Sequence, residues 1–145
     1  MCLLDTNIVS LFDPRRANEA GPLLDWMRQH DPLLFLSTIS LTEIEAGILK
    51  LIREGKRARA DQLAALRDGL VVDFRDRLLP LDVDVALTLG RLAEALRPKA
   101  IERVDLIIAA TAKVHNLTVL SRNVRHFEPT RIAVMDPLRS LPGTE

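Results

Sequence analysis

Cysteine occurs once in this chain, at Cys2, and tyrosine not at all. A lone cysteine excludes an internal disulfide and fits a reducing cytosol. Four phenylalanines and one tryptophan leave few rings for stacking on bases, so any preference for particular bases from stacking is weak. No charge of one sign dominates. Twenty Lys and Arg balance twenty Asp and Glu, which excludes wholesale electrostatic capture of nucleic acid and leaves local patches for any such contact. No apolar run approaches the ~18 residues of a membrane span, and the opening Met1–Asp5 lacks the basic region of a signal peptide. His30, His115 and His126 are far apart and no Cys/His spacing occurs, which disfavours zinc. Neither G-x-x-x-x-G-K-S/T nor G-x-G-x-x-G is present, so the nucleotide-cradle folds lack their motif. There is no internal repeat, low-complexity tract or Gly/Ser linker.

What remains is an ordinary globular chain of 145 residues, 48% hydrophobic and 28% charged. A chain of this length buries roughly 70% of its unfolded surface, enough for one core without staples. Short apolar runs at Cys2–Leu4, Leu33–Leu36, Leu78–Leu81 and Leu117–Leu120 read as strands, with a possible fifth at Ile132–Val134. The proline in the third marks an edge or a strand end. Between them lie helical patterns: one or two turns over residues 7–12 stopped by Pro14, an amphipathic stretch over 19–30, and helices over 40–53 and 58–73 separated by Gly55. A helix capped by Asp82 or Asp84 then runs to about Leu96, and an Ile- and Ala-rich helix covers 104–115. Alternating strands and helices predict right-handed crossovers and a four- to five-stranded parallel sheet flanked by helices, with a protruding helical hairpin around Gly55. Residues 1–137 form the domain and 138–145 a tail with little core.

Polar residues stand where successive apolar runs end: Asp5, Glu43, Asp105 and Asn123. In an open parallel sheet the carboxyl ends of the strands share one edge, and ligands bind there. Each residue also has a local structural explanation. Asp5 suits an N-cap, Ser40-x-x-Glu43 has capping-box spacing, Asp105 suits the first turn of its helix, and Asn123 suits a turn. None of these explains why they recur at the same end of successive units. Carboxylates gathered there repel one another unless a cation joins them. Magnesium and manganese take such oxygen ligands and promote attack of water on phosphodiesters.

The segments Leu3-Leu4-Asp5-Thr6-Asn7-Ile8-Val9-Ser10, Ser40-Leu41-Thr42-Glu43-Ile44-Glu45-Ala46-Gly47, Asp105-Leu106-Ile107-Ile108-Ala109-Ala110-Thr111-Ala112 and 118–127 resemble, in order, the motifs of PIN-domain proteins of the VapC/FitB type. The resemblance spans residues 3 to about 137. It implies the toxin of a type II toxin–antitoxin module: a cytoplasmic Mg2+- or Mn2+-dependent endoribonuclease that cleaves RNA by metal-activated water. It also implies a homodimer, inhibited by a cognate, DNA-binding antitoxin in a hetero-oligomer. By this resemblance Asp5, Glu43 and Asp105 are the metal ligands, and Thr6, Asn7 and Ser121 support the site or contact phosphate. Many relatives carry a fourth acid within 121–127, where this chain has Asn123 and, three residues on, His126. One firmly held ion and a second, weaker or substrate-dependent one are therefore expected.

Arg103, Arg122 and Arg125 are candidates to pair with phosphate oxygens, with Lys99 a weaker one. Arg53, Lys56, Arg57 and Arg59 flank Gly55 and form either a solvated hairpin tip or a contact for RNA or an acidic partner segment. Two other functions compete with the nuclease. The missing fourth acid points to a non-catalytic PIN-type module that binds RNA or a partner. A phosphatase with Asp5 as covalent nucleophile normally has a second acid two residues later, where this chain has Asn7.

Overall fold

A computed structural model describes residues Met1–Gly143. Among these residues five strands, β1 (Cys2–Leu4), β2 (Leu34–Ser37), β3 (Leu78–Leu79), β4 (Thr118–Leu120) and β5 (Val134–Met135), form one sheet in the order β3-β2-β1-β4-β5. Every pairing is parallel: Leu4 lies opposite Leu36 on one side and Leu120 on the other, and Leu120 lies opposite Met135. The α-helices among the described residues connect and cover the strands: α1 (Thr6–Val9), α2 (Ala17–Ala20), α3 (Leu23–Gln29), α4 (Thr38–Arg53), α5 (Arg57–Asp73), α6 (Val83–Ala95), α7 (Arg103–His115) and α8 (Val124–Phe127).

Both faces of the sheet are covered, so its central strands are continuously apolar rather than alternating. The period of two along β1 still divides its side chains. Leu4 joins a core with Leu36, Leu120, Ile8, Met27, Ile44 and Leu70. Leu3 joins the opposite core with Val119, Val85, Ile108 and Phe127. Burying each such side chain stabilises the fold by about 1.5–3 kcal/mol. Helix α7 is buried from Ile107 through Ala112, which accounts for its lack of a polar stripe.

The strand order reverses direction beside β1. The chain steps from β1 through β2 to β3 on one side, then returns to β4 and β5 on the other. The gap between the ends of β1 and β4 is thus the topological switch point of the sheet, the place where open α/β folds bind ligands.

Several local expectations need correction. The stretch over 19–30 is not one helix. Gly21 adopts φ 52° and Pro22 has no N–H, so the chain breaks into α2 and α3 there. Ser40 and Glu43 do not form a capping box. The N-cap of α4 is Ser37, whose hydroxyl accepts from the Ile39 N–H at 3.2 Å, so Ser40 and Glu43 sit inside the helix. Leu33 belongs to a 3-10 turn rather than β2, β3 is shorter than the expected 78–81, and β5 begins at Val134 rather than Ile132. The hairpin of α4 and α5 exposes its tip, but Ile44, Ile48, Ala60 and Leu70 anchor its body in the core. Beyond residue 137, Leu138 and Leu141 pack against the larger core, and the last two residues of the expected 138–145 tail lie outside the described residues. No helix among the described residues is long and apolar enough to cross a membrane.

Candidate active site

Asp5 leaves β1 with extended backbone and N-caps α1. Its backbone N–H donates to the Leu120 carbonyl at 2.9 Å, continuing the ladder to β4 for one more residue. One carboxylate oxygen accepts from the Thr6 N–H at 2.8 Å and the other from the Ser121 hydroxyl at 2.7 Å. The N-cap explanation of Asp5 is therefore correct, and it leaves the second oxygen engaged in something a cap does not require.

Ser121, fully buried just past β4, is the hub of the switch point. Besides donating to Asp5, its oxygen accepts from the Asn123 backbone N–H at 2.9 Å and from the Asn7 side-chain amide at 3.4 Å. Asn7 in turn accepts from the Arg122 backbone N–H at 3.2 Å. Thr6 turns toward α4. Its hydroxyl donates to Glu43 Oε1 at 2.5 Å and is bonded to the buried Ser40 hydroxyl at 2.9 Å. Ser40 and Glu43 share a face of α4 because they are three residues apart.

Asp105 stands in the first turn of α7, 9% exposed. Its Oδ2 lies 3.2 Å from His126 Nδ1 on α8. Burial holds the Asp105 carboxyl above the usual carboxylate range, the charge of Asp5 pushes it further, and His126 opposes the rise. Burial also raises Asp5, against the stabilising bonds from Ser121 and Thr6 and the nearby His126. Asp5 and Asp105 thus stand within electrostatic reach of each other, and His126 acts on both.

The structure brings Asp5, Thr6, Asn7, Ser121 and Glu43 into one hydrogen-bonded network and sets Asp105 beside it. Asn123 joins through its backbone, while its exposed side chain makes no hydrogen bond among the described residues. Arg103 and Arg122 are exposed, and neither guanidinium pairs with a carboxylate among the described residues. No three His, Cys, Asp or Glu side chains among the described residues stand close enough to enclose a metal on their own. Two carboxylates are nevertheless the number that magnesium often takes from a protein, since it keeps several waters and shares substrate phosphates. The donors here are hard oxygens, the chemistry such ions select.

Sequence reasoning alone misses two members of the site. His126 carries a readable signal: it lies in the segment just past β4, one turn beyond Asn123. Ser40 reads as part of a cap that Ser37 in fact supplies. A separate cavity of about 580 Å3, lined by Phe12, Leu66, Leu70 and Phe74 among others, contains none of the site residues. The basic hairpin tip is less free than its composition implies. Arg59 pairs with the buried Asp13 at 2.5 Å and Lys56 with Glu54 at 3.4 Å, leaving Arg53 and Arg57 unpaired among the described residues.

Known proteins resemble this chain over nearly its whole length. The PIN-domain family model matches residues 2–131. The chain is 36% identical to the plasmid stability protein StbB of Pseudomonas syringae pv. tomato, covering 94% of this chain and 98% of the relative. It is 32% identical to the toxin FitB of Neisseria gonorrhoeae, again over 94% and 98%. The VapC ribonuclease Y4jK of Sinorhizobium fredii is 31% identical over 94% of this chain and 97% of its own. Among solved structures, FitAB bound to an IR36 DNA fragment superposes with a TM-score of 0.75 at 29% identity, covering 95% and 96% of the two chains.

Proposed function

Because this chain belongs to the PIN-domain family, we propose that it is the toxin of a type II toxin–antitoxin module and an endoribonuclease dependent on magnesium or manganese. The observation that carries this reading is the pair of buried carboxylates, Asp5 and Asp105, at the switch point of the sheet, each held above its usual carboxylate range by burial. Such a pair costs stability when ionised, and a cation offsets that cost. The names of the relatives, toxin and ribonuclease, point the same way.

In this reading Asp5 and Asp105 hold the ion, with Glu43 reaching it directly or through water. A bound divalent ion supplies Lewis-acid polarisation of the scissile phosphate and lowers the pKa of the attacking water. Ser121 fixes the rotamer of Asp5, Thr6 fixes Glu43, and His126 fixes Asp105. Asn7 braces the end of β1 against the turn after β4, so that both sides of the site move as one. Arg122 and Arg103 stand exposed and available to phosphate oxygens. Asn123 brings no charge, so the reading keeps one firm ion and a second that depends on substrate.

The reading extends to partners. A cognate antitoxin is supported by the structural neighbour FitAB, which is bound to a DNA fragment. Self-association into a homodimer is supported by the uncovered apolar side chains of Leu81, Val83 and Leu87 around the start of α6. The buried, unpaired Cys2 suits a cytoplasmic protein.

Cleavage of a mixed single-stranded RNA by purified, antitoxin-free protein tests the nuclease, with manganese, magnesium or chelator and beside Asp5→Asn. Metal-dependent cuts that vanish in the variant are expected. A second reading, a non-catalytic module that binds RNA or a partner, is favoured by the lack of a preformed three-ligand cluster among the described residues. Tight RNA binding without metal-dependent cuts would replace the first reading with the second.

A further inference from the structure

The neutral net charge hides an asymmetry. Residues 97–139 contain eight Lys and Arg against four Asp and Glu, whereas the rest of the chain contains twelve against sixteen. This positive third folds around three cavities with shared walls. One, of about 490 Å3, holds Asp105 and His126 of the site together with Lys99, Arg125 and a second acid, Glu102. A larger one, of about 780 Å3, shares Lys99 and Arg125 with it and adds Lys113 and Arg131 against a single acid, Glu128. A third, of about 450 Å3, shares Arg125 and His126 and adds Arg122 and Arg139 beside two acids, Glu128 and Asp136. Arg125 therefore borders all three.

Five of these cations, Lys99, Lys113, Arg122, Arg125 and Arg131, have no ion pair among the described residues. Elsewhere six of the twelve Lys and Arg, namely Arg16, Arg28, Lys56, Arg59, Arg67 and Arg77, are paired with a carboxylate among the described residues. Unpaired cations lining concave surface repel one another unless an anion enters. A run of them over contiguous cavities fits an anion that repeats, as a nucleic-acid backbone does, better than a single phosphate. Continuity with Asp105 favours the strand being cut over an acidic protein segment, which has no need of the carboxylates.

We propose that this surface is the track for the RNA strand on one side of the cleavage site. The strand runs from Arg122 at the Asp105–His126 end over Lys99 and Arg125 toward Lys113 and Arg131, and the protein holds it by its phosphates at these five cations. The proposal rests on the nuclease reading, because it takes the strand to be the substrate. It assigns positions to Lys113 and Arg131, which stand outside the cluster of site residues, and it places the binding surface on α7 and the turn after α8 rather than on the hairpin tip.

The test is fluorescence anisotropy of a labelled RNA of roughly twelve nucleotides on full-length Asp5→Asn protein, across a salt titration. Five phosphate contacts predict a slope of log K on log salt of about −3.5. Lys113→Gln with Arg131→Asn removes two cations and keeps a residue suited to the left-handed backbone at 131, where φ is 59°. That variant should lower the slope to about −2.1 and weaken binding about 25-fold at 0.1 M salt. A three-nucleotide RNA should not register the change. Arg53→Gln with Arg57→Gln at the hairpin tip should leave both unchanged. An unchanged slope in the first variant, a loss in the hairpin variant instead, or competition by polyglutamate with RNA affinity untouched would each overturn the track. Wild-type protein that cleaves RNA while the first variant binds normally would sink the track and spare the nuclease. The expected binding pattern in a protein whose wild type never cuts would do the reverse.

Discussion

Replacing Ser121 with alanine isolates one hydroxyl of the site from the sheet that carries it. The Ser121 backbone N–H donates to the Met135 carbonyl at 3.0 Å, and alanine keeps that bond. The variant loses the hydroxyl that donates to Asp5 Oδ2 at 2.7 Å and accepts from the Asn123 N–H at 2.9 Å and, at a long 3.4 Å, from the Asn7 side-chain amide. Water reaches the exposed Asn123, so its share is small. The bond to Asp5 is different, because it satisfies a carboxylate only 5% exposed. Hydrogen bonds to charged groups contribute about 1.5–3 kcal/mol, so the expected loss at pH 8 is about 2–3 kcal/mol in all. At about 2–4 °C per kcal/mol for a chain of this size, Tm should fall roughly 4–12 °C in a metal-free thermal melt. The pH dependence follows from the raised carboxyl of Asp5, whose ordinary value is 3.8. A folded pKa above the unfolded one makes the ionised form a burden that is relieved as pH falls. Without Ser121 the folded pKa rises further, so the variant regains more stability than the wild type as pH falls from neutral toward 3.8. The gap in Tm should therefore narrow in acid. It should also shrink by at least half when both proteins carry Asp5→Asn. A gap under 1 °C at pH 8 would refute a role through the charge of Asp5. So would a gap of the same size at pH 8, at pH 5 and in the Asp5→Asn background.

Other expectations follow from the same arrangement. Asp5→Asn keeps the N-cap and removes a buried charge beside Asp105, so the metal-free protein should melt higher than wild type at pH 8, and a lower Tm would count against repulsion between the two carboxylates. Manganese at a hundred times its Kd should stabilise the wild type by about 2.7 kcal/mol and the variant far less; a wild-type Tm unmoved by millimolar manganese or magnesium would argue against an assembled site. Arg77 donates to the carbonyls of Asp31, Leu34 and Asp73 and pairs with Asp31, tying the end of α5 to the edge of β2. Arg77→Ala should cost about 2–4 kcal/mol in denaturant unfolding, with Arg77→Lys recovering less than half because a lysine lacks the planar fork.

The parallel sheet and the acids at its rim are readable because each depends on a short run of sequence. Three apolar residues followed by Asp5 describe a buried strand and its end in four positions. The misreadings also have local causes. Ser40 and Glu43 satisfy the spacing of a capping box, yet a cap needs the extended backbone that Ser37 has at the end of β2, and that depends on where pairing with β3 stops. Apolar periodicity over 19–30 outweighs Gly21-Pro22 on paper, although those two residues alone are enough to break a helix. What no local pattern could contain is the network itself. Asp5 and Ser121 are 116 residues apart, Asn7 and Ser121 are 114, and Thr6 and Glu43 are 37. Alternating strands and helices require a parallel sheet but leave its strand order open. If β4 paired beside β3 instead of beside β1, the same residues would all still stand at carboxyl ends, and Ser121 would be far along the edge from Asp5. The order β3-β2-β1-β4-β5 is thus the step that turns a row of rim residues into a site. It follows from the cores on the two faces: Leu3 and Val119 share one and Leu4 and Leu120 the other, so β1 and β4 are buried side by side because both are apolar on both faces.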